Sequence, residues 1–550
     1  MKHGAILRLA LVAVCVGFFS GPAFVEAAEA VLTPTKIESI PRTVKVRRAT
    51  PDWILLMTDT QDVSYLMSPK KVTTDGKEMT TWVLNDTDKR GPKYLKEFKK
   101  HIVKEPAKYN SKYPLRGVVE LGDKKYVFVA DAAPDAKGRG YGLLYFDING
   151  NGDLTDDGTL QVEEEGVLQA RAAAAAKAKK AKEKTGKTAK ANDSKKPVRR
   201  PVLSSLTYMR YYFPPIDMKI NVDGKPVDYR FFFRTYASFR KDSMYLAAWL
   251  SPGVYYTGQI DLAGRKQRIA VVDFNGNGRF DDPIEIIESK VAGKGPKRFY
   301  PKRGDMVYLD PPQSIKNTRL IWDVMGLDCR RNVSPQICLD DQYFDLDVAQ
   351  SGNELKVAID PVQLPQGYIK NPNAKYSAVL YNDAFGLLEI AGTADRPVAV
   401  PEGKWTMVGC KVDLTDTPEG KEIAKKAAKR ERAKVEKEKN LKKKALLSKL
   451  MKSKTYETEV GAVGTTNGKP VTVVKDQTVL LPFGPPYTTS VEVPYFIRRS
   501  ETFYVVMNIF GSGGEAVTSM KIGGDNPPKP TFTITEPDGK VAIQGNFAYG

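Results

Sequence analysis

Two short stretches carry side chains whose types and spacing could do chemistry, and they are near copies. They read Asp147-Ile-Asn-Gly-Asn-Gly-Asp-Leu-Thr-Asp-Asp157 and Asp273-Phe-Asn-Gly-Asn-Gly-Arg-Phe-Asp-Asp282. Each sets oxygen-bearing side chains at loop positions 1, 3 and 5 and a glycine at position 6. Calcium is a hard cation that takes six to eight oxygens, and a tight turn can deliver several of them from alternate residues. In the first loop Asp147, Asn149 and Asn151 supply side chains, Gly152 permits the turn, Asp153 offers its carbonyl, and Asp156 or Asp157 closes the shell. In the second, Asp273, Asn275 and Asn277 do the same, with Gly278 as pivot, the Arg279 carbonyl next, and Asp281 and Asp282 following. The competing reading is a plain hairpin turn, in which glycine and asparagine serve only to reach positive φ. A turn alone does not call for an aspartate at position 1 in both copies, nor for the acid pair that follows.

Both stretches resemble EF-hand and dockerin-type loops of secreted bacterial proteins, whose pattern is D-x-[DN]-x-[DN]-G. That resemblance implies calcium as the bound ion. Two departures matter. Position 12, a bidentate glutamate in EF-hands, is Gly158 in one loop and Ile284 in the other. Arg279 adds a positive charge inside the second loop. A distant carboxylate such as Glu285, or water, must complete the shell, so weak sites with Kd of roughly 10⁻⁴–10⁻³ M are expected.

The elements that position these loops read as β-hairpins. Ile216 to Val222 alternates apolar and polar residues, turns at Asp223-Gly224, and returns from Val227 to Phe233, which is the period of a half-buried strand. Arg116 to Leu121 turns and returns as Tyr126 to Val129; Thr257 to Leu262 turns and returns as Arg268 to Asp273. These last two form an imperfect internal repeat of hairpin and loop. Arg396 to Val408 resembles the strand–turn–strand of transthyretin-like or immunoglobulin-like sandwich modules, and Thr531 to Ile543 closes as a hairpin around Pro537-Asp-Gly539. Helix is expected over Pro92–Val103 and in parts of two basic inserts. The fold class that follows is mainly β: multidomain β-sandwich and β-hairpin modules with two inserted basic, partly helical segments.

The formal net charge of +20 sits almost wholly in those inserts. Residues 171–200 hold 12 Lys/Arg against 2 Asp/Glu, and residues 419–454 hold 15 against 5, leaving the rest near neutral. Specific nucleic-acid binding is therefore not expected. The inserts are either solvated basic segments, with Glu422–Lys426 and Glu438–Lys442 as helical pairs, or weak docking points for anionic polysaccharide or an envelope surface.

The N-terminus reads as a secretion signal: Lys2 and Arg8, an apolar run from Ile6 to Phe19, and a small-residue site at Val25-Glu-Ala27 or Ala28-Glu-Ala30. No later segment is apolar enough to span a bilayer as a helix. Expected units are a signal at 1–30, a β-rich domain at 31–165, a linker at 166–200, a β domain at 201–345, sandwich parts at 346–418 and 455–550, and the basic insert at 419–454. After export Cys329, Cys338 and Cys410 remain, and a local Cys329–Cys338 disulfide is expected in an oxidising compartment. The chain has two histidines, His3 in the signal and His101 on a helical turn, which leaves little from which to build serine–histidine or multi-histidine zinc chemistry. Asp328, Asp340, Asp341, Asp345 and Asp347 form an acid cluster, and Tyr208, Tyr211, Tyr212, Tyr255 and Tyr256 offer rings that could stack on sugars. The expected role is that of an exported, calcium-binding structural or adhesive envelope protein, secreted, periplasmic or at the cell surface, with glycan binding as one option. The alternative is a carboxylate-based glycoside hydrolase.

Overall fold

The computed structural model describes residues 27–38, 54–55, 61–74, 77–85, 88, 90–134, 140–162, 207–240, 243–262, 264–289, 295–302, 304–312, 329–340, 342–438, 455–492 and 505–548. The fold is mainly β, built from antiparallel hairpins and many sheets with two helices among these residues. The stretch 166–200 lies outside the described residues. No helix among them is long and apolar enough to cross a membrane.

Alternation creates the first core. The Ile216–Val222 strand buries every second residue and pairs with Lys225–Phe239, turning at Asp223 and Gly224, both at positive φ. The Leu115–Leu121 and Lys124–Asp131 strands form the first repeated hairpin, and Val254–Leu262 with Arg265–Val272 forms the second. Aromatic side chains from these hairpins and from the Leu143–Phe146 strand interlock, with Phe128 edge-on to Phe233 at 4.8 Å and Phe146 against Phe231 at 5.2 Å. The resulting core takes in residues from Ala28 to Ile359.

An eight-stranded sheet crosses the expected boundary at residue 345. In it the N-terminal strand Ala28–Lys36 lies between Val254–Leu262 and Glu354–Val362, with Ala28 opposite Ile359 and Pro34 opposite Tyr256. A second core gathers around Trp405, Tyr376 and Phe483. Trp405 is buried, and its indole N–H donates to the Pro401 carbonyl across the expected strand–turn–strand. The closing hairpin is Thr531–Thr535 with Val541–Asn546.

Among the described residues no disulfide joins Cys329 to Cys338, so the expected pairing is not formed. Cys329 packs on the cluster around Phe274 and Tyr308, while Cys338 packs on the cluster around Trp405. Closeness in sequence did not put them in one core. Burial pushes the Cys410 thiol well above its ordinary range.

One helix, Gly91–His101, has Pro92 in its first turn, and Asp88 Oδ1 accepts from the Arg90 and Gly91 N–H groups. The other, Pro418–Lys437, starts on Thr417, whose hydroxyl accepts from Gly420 N–H at 3.1 Å, an ordinary N-cap. It covers the front of the expected basic insert and carries the Glu422–Lys426 pair; residues 439–454, and with them the Glu438–Lys442 pair, lie outside the described residues.

Candidate metal loops

The first loop leaves the Leu143–Phe146 strand at Asp147, which is 2% exposed. Asp147 Oδ1 accepts from Asn151 N–H at 3.0 Å and Oδ2 from Gly152 N–H at 3.1 Å. Asn149 and Asn151 each turn their side-chain oxygen onto the N–H two residues ahead. The Asn151 amide donates to Asp156 Oδ2 at 2.8 Å, and Asp157 Oδ2 accepts from Ile148 N–H. Burial pushes the Asp157 carboxyl up, with Asp156 and Asp147 adding repulsion. Asp153 turns outward to Thr155 and to Lys104 at 3.2 Å, and the Thr155 bonds hold its carboxyl below its usual value, with Lys104 helping.

The helix end backs this loop. Leu154 packs with Phe98, Val127 and Val129, and the Gly152 carbonyl accepts from Val103 and Lys104. Gly152 sits at φ +79, and a Cβ there would stand 2.6 Å from the His101 carbonyl oxygen, so glycine is required on both counts. His101 itself is half-exposed and bonds Glu97 at 3.1 Å.

The second loop leaves the Arg265–Val272 strand at Asp273, which has no exposed surface. Its carboxylate accepts from Gly276, Asn277 and Gly278 N–H groups at 2.6, 3.1 and 2.7 Å and from the Tyr229 hydroxyl at 2.6 Å. Asn277 Oδ1 accepts from Arg279 N–H, as Asn151 does from Asp153. The amides of Asn275 and Asn277 both donate to Asp282 Oδ2, at 2.9 and 2.6 Å. Phe280 takes the buried place that Leu154 has in the first loop. The two loops therefore share one register through position 10.

Arg279 does not bring its charge into the loop. Its guanidinium reaches Asp123 at 2.8 Å and Asp223 at 2.9 Å, in the turns of two other hairpins. Glu285 does not approach the loop either; it lies on the Glu285–Ser289 strand and pairs with Lys302. The carboxylate that does meet the loop is Asp305, fully buried, which accepts from Phe274 and Asp282 N–H groups, each at 2.9 Å. Gly304 allows this approach, since a Cβ there would fall 2.1 Å from the Asp282 carbonyl oxygen.

Burial raises the carboxyl of Asp273, with Asp282 adding repulsion, and raises that of Asp305, with Asp273 and Asp282 both adding to it. Asp281 is raised by burial and by Asp282. Asp305 and Tyr229 were not legible as site residues, because they lie 23 and 44 residues from their partners.

Among the described residues no three His, Cys, Asp or Glu side chains converge as a ready-made cage. The oxygens gathered in the loops come from one or two carboxylates, two asparagine amides and the backbone, a hard donor set that suits calcium rather than a soft metal. A carboxylate oxygen has two lone pairs, so accepting a backbone N–H does not stop it from binding a cation. Of the other acids, Asp345 and Asp347 are exposed on the Gln342–Ser351 strand, and Asp328 and Asp341 lie outside the described residues. No protein family, curated protein or solved structure matches the chain.

Proposed function

We propose that the chain is an exported structural or adhesive protein of the cell envelope whose hairpins are stabilised by calcium. The observation that carries this reading is the pair of loops with one register, each holding a buried position-1 aspartate and an acid at position 10 that faces the position-5 asparagine amide. The charge arrangement supports it. Asp273 and Asp305 are fully buried, and neither has a cationic side chain bonded to it among the described residues; buried acids call for a cation, a donor or a proton. The residues that would hold calcium are Asp147, Asn149, Asn151 and Asp156 in one loop, and Asp273, Asn275, Asn277 and Asp282 in the other.

A site with Kd of roughly 10⁻⁴–10⁻³ M adds about 1.4–2.7 kcal/mol of stability at about 10 mM free ion. Thermal unfolding in calcium, in magnesium and in EDTA tests this. The expected result is a midpoint raised by calcium and not by magnesium. Equal midpoints, with no heat on titrating millimolar calcium, would reduce both loops to hydrogen-bonded turns. The adhesive part is tested apart from this, on a glycan array with the full chain. Salt-sensitive retention on acidic glycans supports docking through charge.

A further inference from the structure

The outer face of the sheet formed by Gln61–Thr74, Met244–Pro252, Lys225–Phe239 and Thr207–Tyr212 carries a cluster that the loops do not explain. Alternation along Lys225–Phe239 sends Thr235 and Ala237 into the core and leaves Arg234 and Tyr236 on the opposite face. The register places Trp249 and Tyr212 on either side of Arg234, and Arg210 beside Tyr236. The Arg234 guanidinium lies 5.0 Å from the centre of the Trp249 ring, and that of Arg210 lies 5.5 Å from the centre of Tyr236. Between them is a pocket of 220 Å³ lined by Arg210, Tyr212, Arg234, Thr235 and Trp249.

Arg234 is the unusual member. Its Nε is buried with no hydrogen-bond partner among the described residues. Burial lowers its pKa, and Arg210 lowers it further. Asp62, opposite Trp249 in the register, is engaged by Arg90 at 3.3 Å. A cation held over the Trp249 ring with a buried, unanswered N–H calls for a planar anion that can accept two parallel bonds. Tyr212, 36% exposed at the pocket edge, offers an apolar ring face with a polar tip. The volume is below the roughly 300 Å³ at which drug-sized sites begin, which fits a single ring.

We propose that this pocket binds the carboxylate of an acidic sugar residue, with Arg234 pairing the carboxylate and Tyr212 covering the sugar ring. The ligand class is a uronate-type glycan. This rests on the adhesive part of the reading above and is independent of calcium.

The test is calorimetric titration of the full chain in EDTA with oligogalacturonate, its methyl ester, a neutral galactose oligomer, and inorganic phosphate. Oligogalacturonate should bind, and the ester should bind about 10-fold or more weakly because the charge-assisted pair is lost. Arg234→Met, which keeps the stem, should weaken binding to a similar degree. Arg234→Lys should recover only part of it, and Lys356→Met, at an exposed position on the Glu354–Val362 strand, should change it less than about 2-fold. Tyr212→Ala, at an exposed position, should weaken oligogalacturonate without affecting the fold, and it serves if the Arg234 variants unfold. Phosphate binding as tight as the sugar would overturn the sugar assignment. Oligogalacturonate binding that survives both Arg234→Met and Tyr212→Ala would overturn this site while leaving the adhesive reading intact. No binding to any acidic glycan would sink both.

Discussion

Replacing Asp273 by alanine should cost more stability than replacing Asp147, although the two hold the same place in near-identical sequences. Asp273 accepts four hydrogen bonds, and those from Tyr229, Gly276 and Gly278 are fully buried. Asp147 accepts two, of which only the one from Gly152 is fully buried. A buried donor left without a partner costs about 1–3 kcal/mol. Removing a buried acid that is repelled by Asp305 returns part of this. The expected losses are therefore about 3–5 kcal/mol for Asp273→Ala and about 1–3 kcal/mol for Asp147→Ala. Tyr229→Phe deletes one donor and leaves the carboxylate its three backbone partners, so it should cost about 1–2 kcal/mol. The assay is urea unfolding in EDTA, compared at unchanged slope. The reasoning fails if the two alanine variants agree within about 0.5 kcal/mol, or if Tyr229→Phe is neutral.

Other outcomes follow from the same contacts. Gly158→Ala should cost about 1 kcal/mol, since φ is +76 and nothing lies within 4 Å of the new Cβ, while Gly152→Ala should cost clearly more because it meets the His101 carbonyl; thermal midpoints of the two variants check this. On the proposed export, N-terminal sequencing of the mature chain should begin at Ala28, because a start at Val31 would remove three residues paired with the Glu354–Val362 strand; a start at Val31 would count against this. Glu515 accepts from Gly484 and Gly513 N–H groups, yet burial holds its carboxyl above the ordinary value. A raised folded-state value gives stability that is fully present below the unfolded carboxyl value of about 4.3 and is lost as pH rises through the folded one. Glu515→Gln should flatten that part of the profile in pH-dependent urea unfolding, and an unchanged profile would exclude Glu515 as its source.

What could be read in advance was what is local. Alternation at Ile216–Val222, the repeated hairpins and the loop register all depend on residues a few positions apart, and the structure has them. The aim of Arg279 was not legible, because its partners Asp123 and Asp223 are set by how three turns meet. Asp305 gave no signal for the same reason, and Glu285, closer in sequence, pairs with Lys302 instead of meeting the loop. The N-terminal strand, with Pro34 and Lys36 in it, sits inside a sheet. It is stable there because Ala28, Ala30 and Leu32 all bury their side chains in the core.

The two loops should also differ in how far a disturbance spreads. The first touches mainly the segment after the helix: Gly152 and Leu154 bond to Val103 and Lys104, and the Asp147 N–H donates to the Val127 carbonyl. The second is tied into three other elements. Its Gly276 carbonyl accepts from Gln61, its Asn277 carbonyl accepts from Gly122 N–H, and Arg279 spans two turns. Opening the first loop therefore requires a local excursion, while opening the second breaks contacts in several hairpins at once, and amide exchange separates these regimes. In Asp147→Ala, faster exchange should be confined to about residues 101–104 and 148–157. In Tyr229→Phe it should extend to Gly122, Asp123 and the Asp223–Gly224 turn. Faster exchange confined to residues 273–282 in Tyr229→Phe would show that the second loop is as isolated as the first, and that its ties to the other turns carry no coupling.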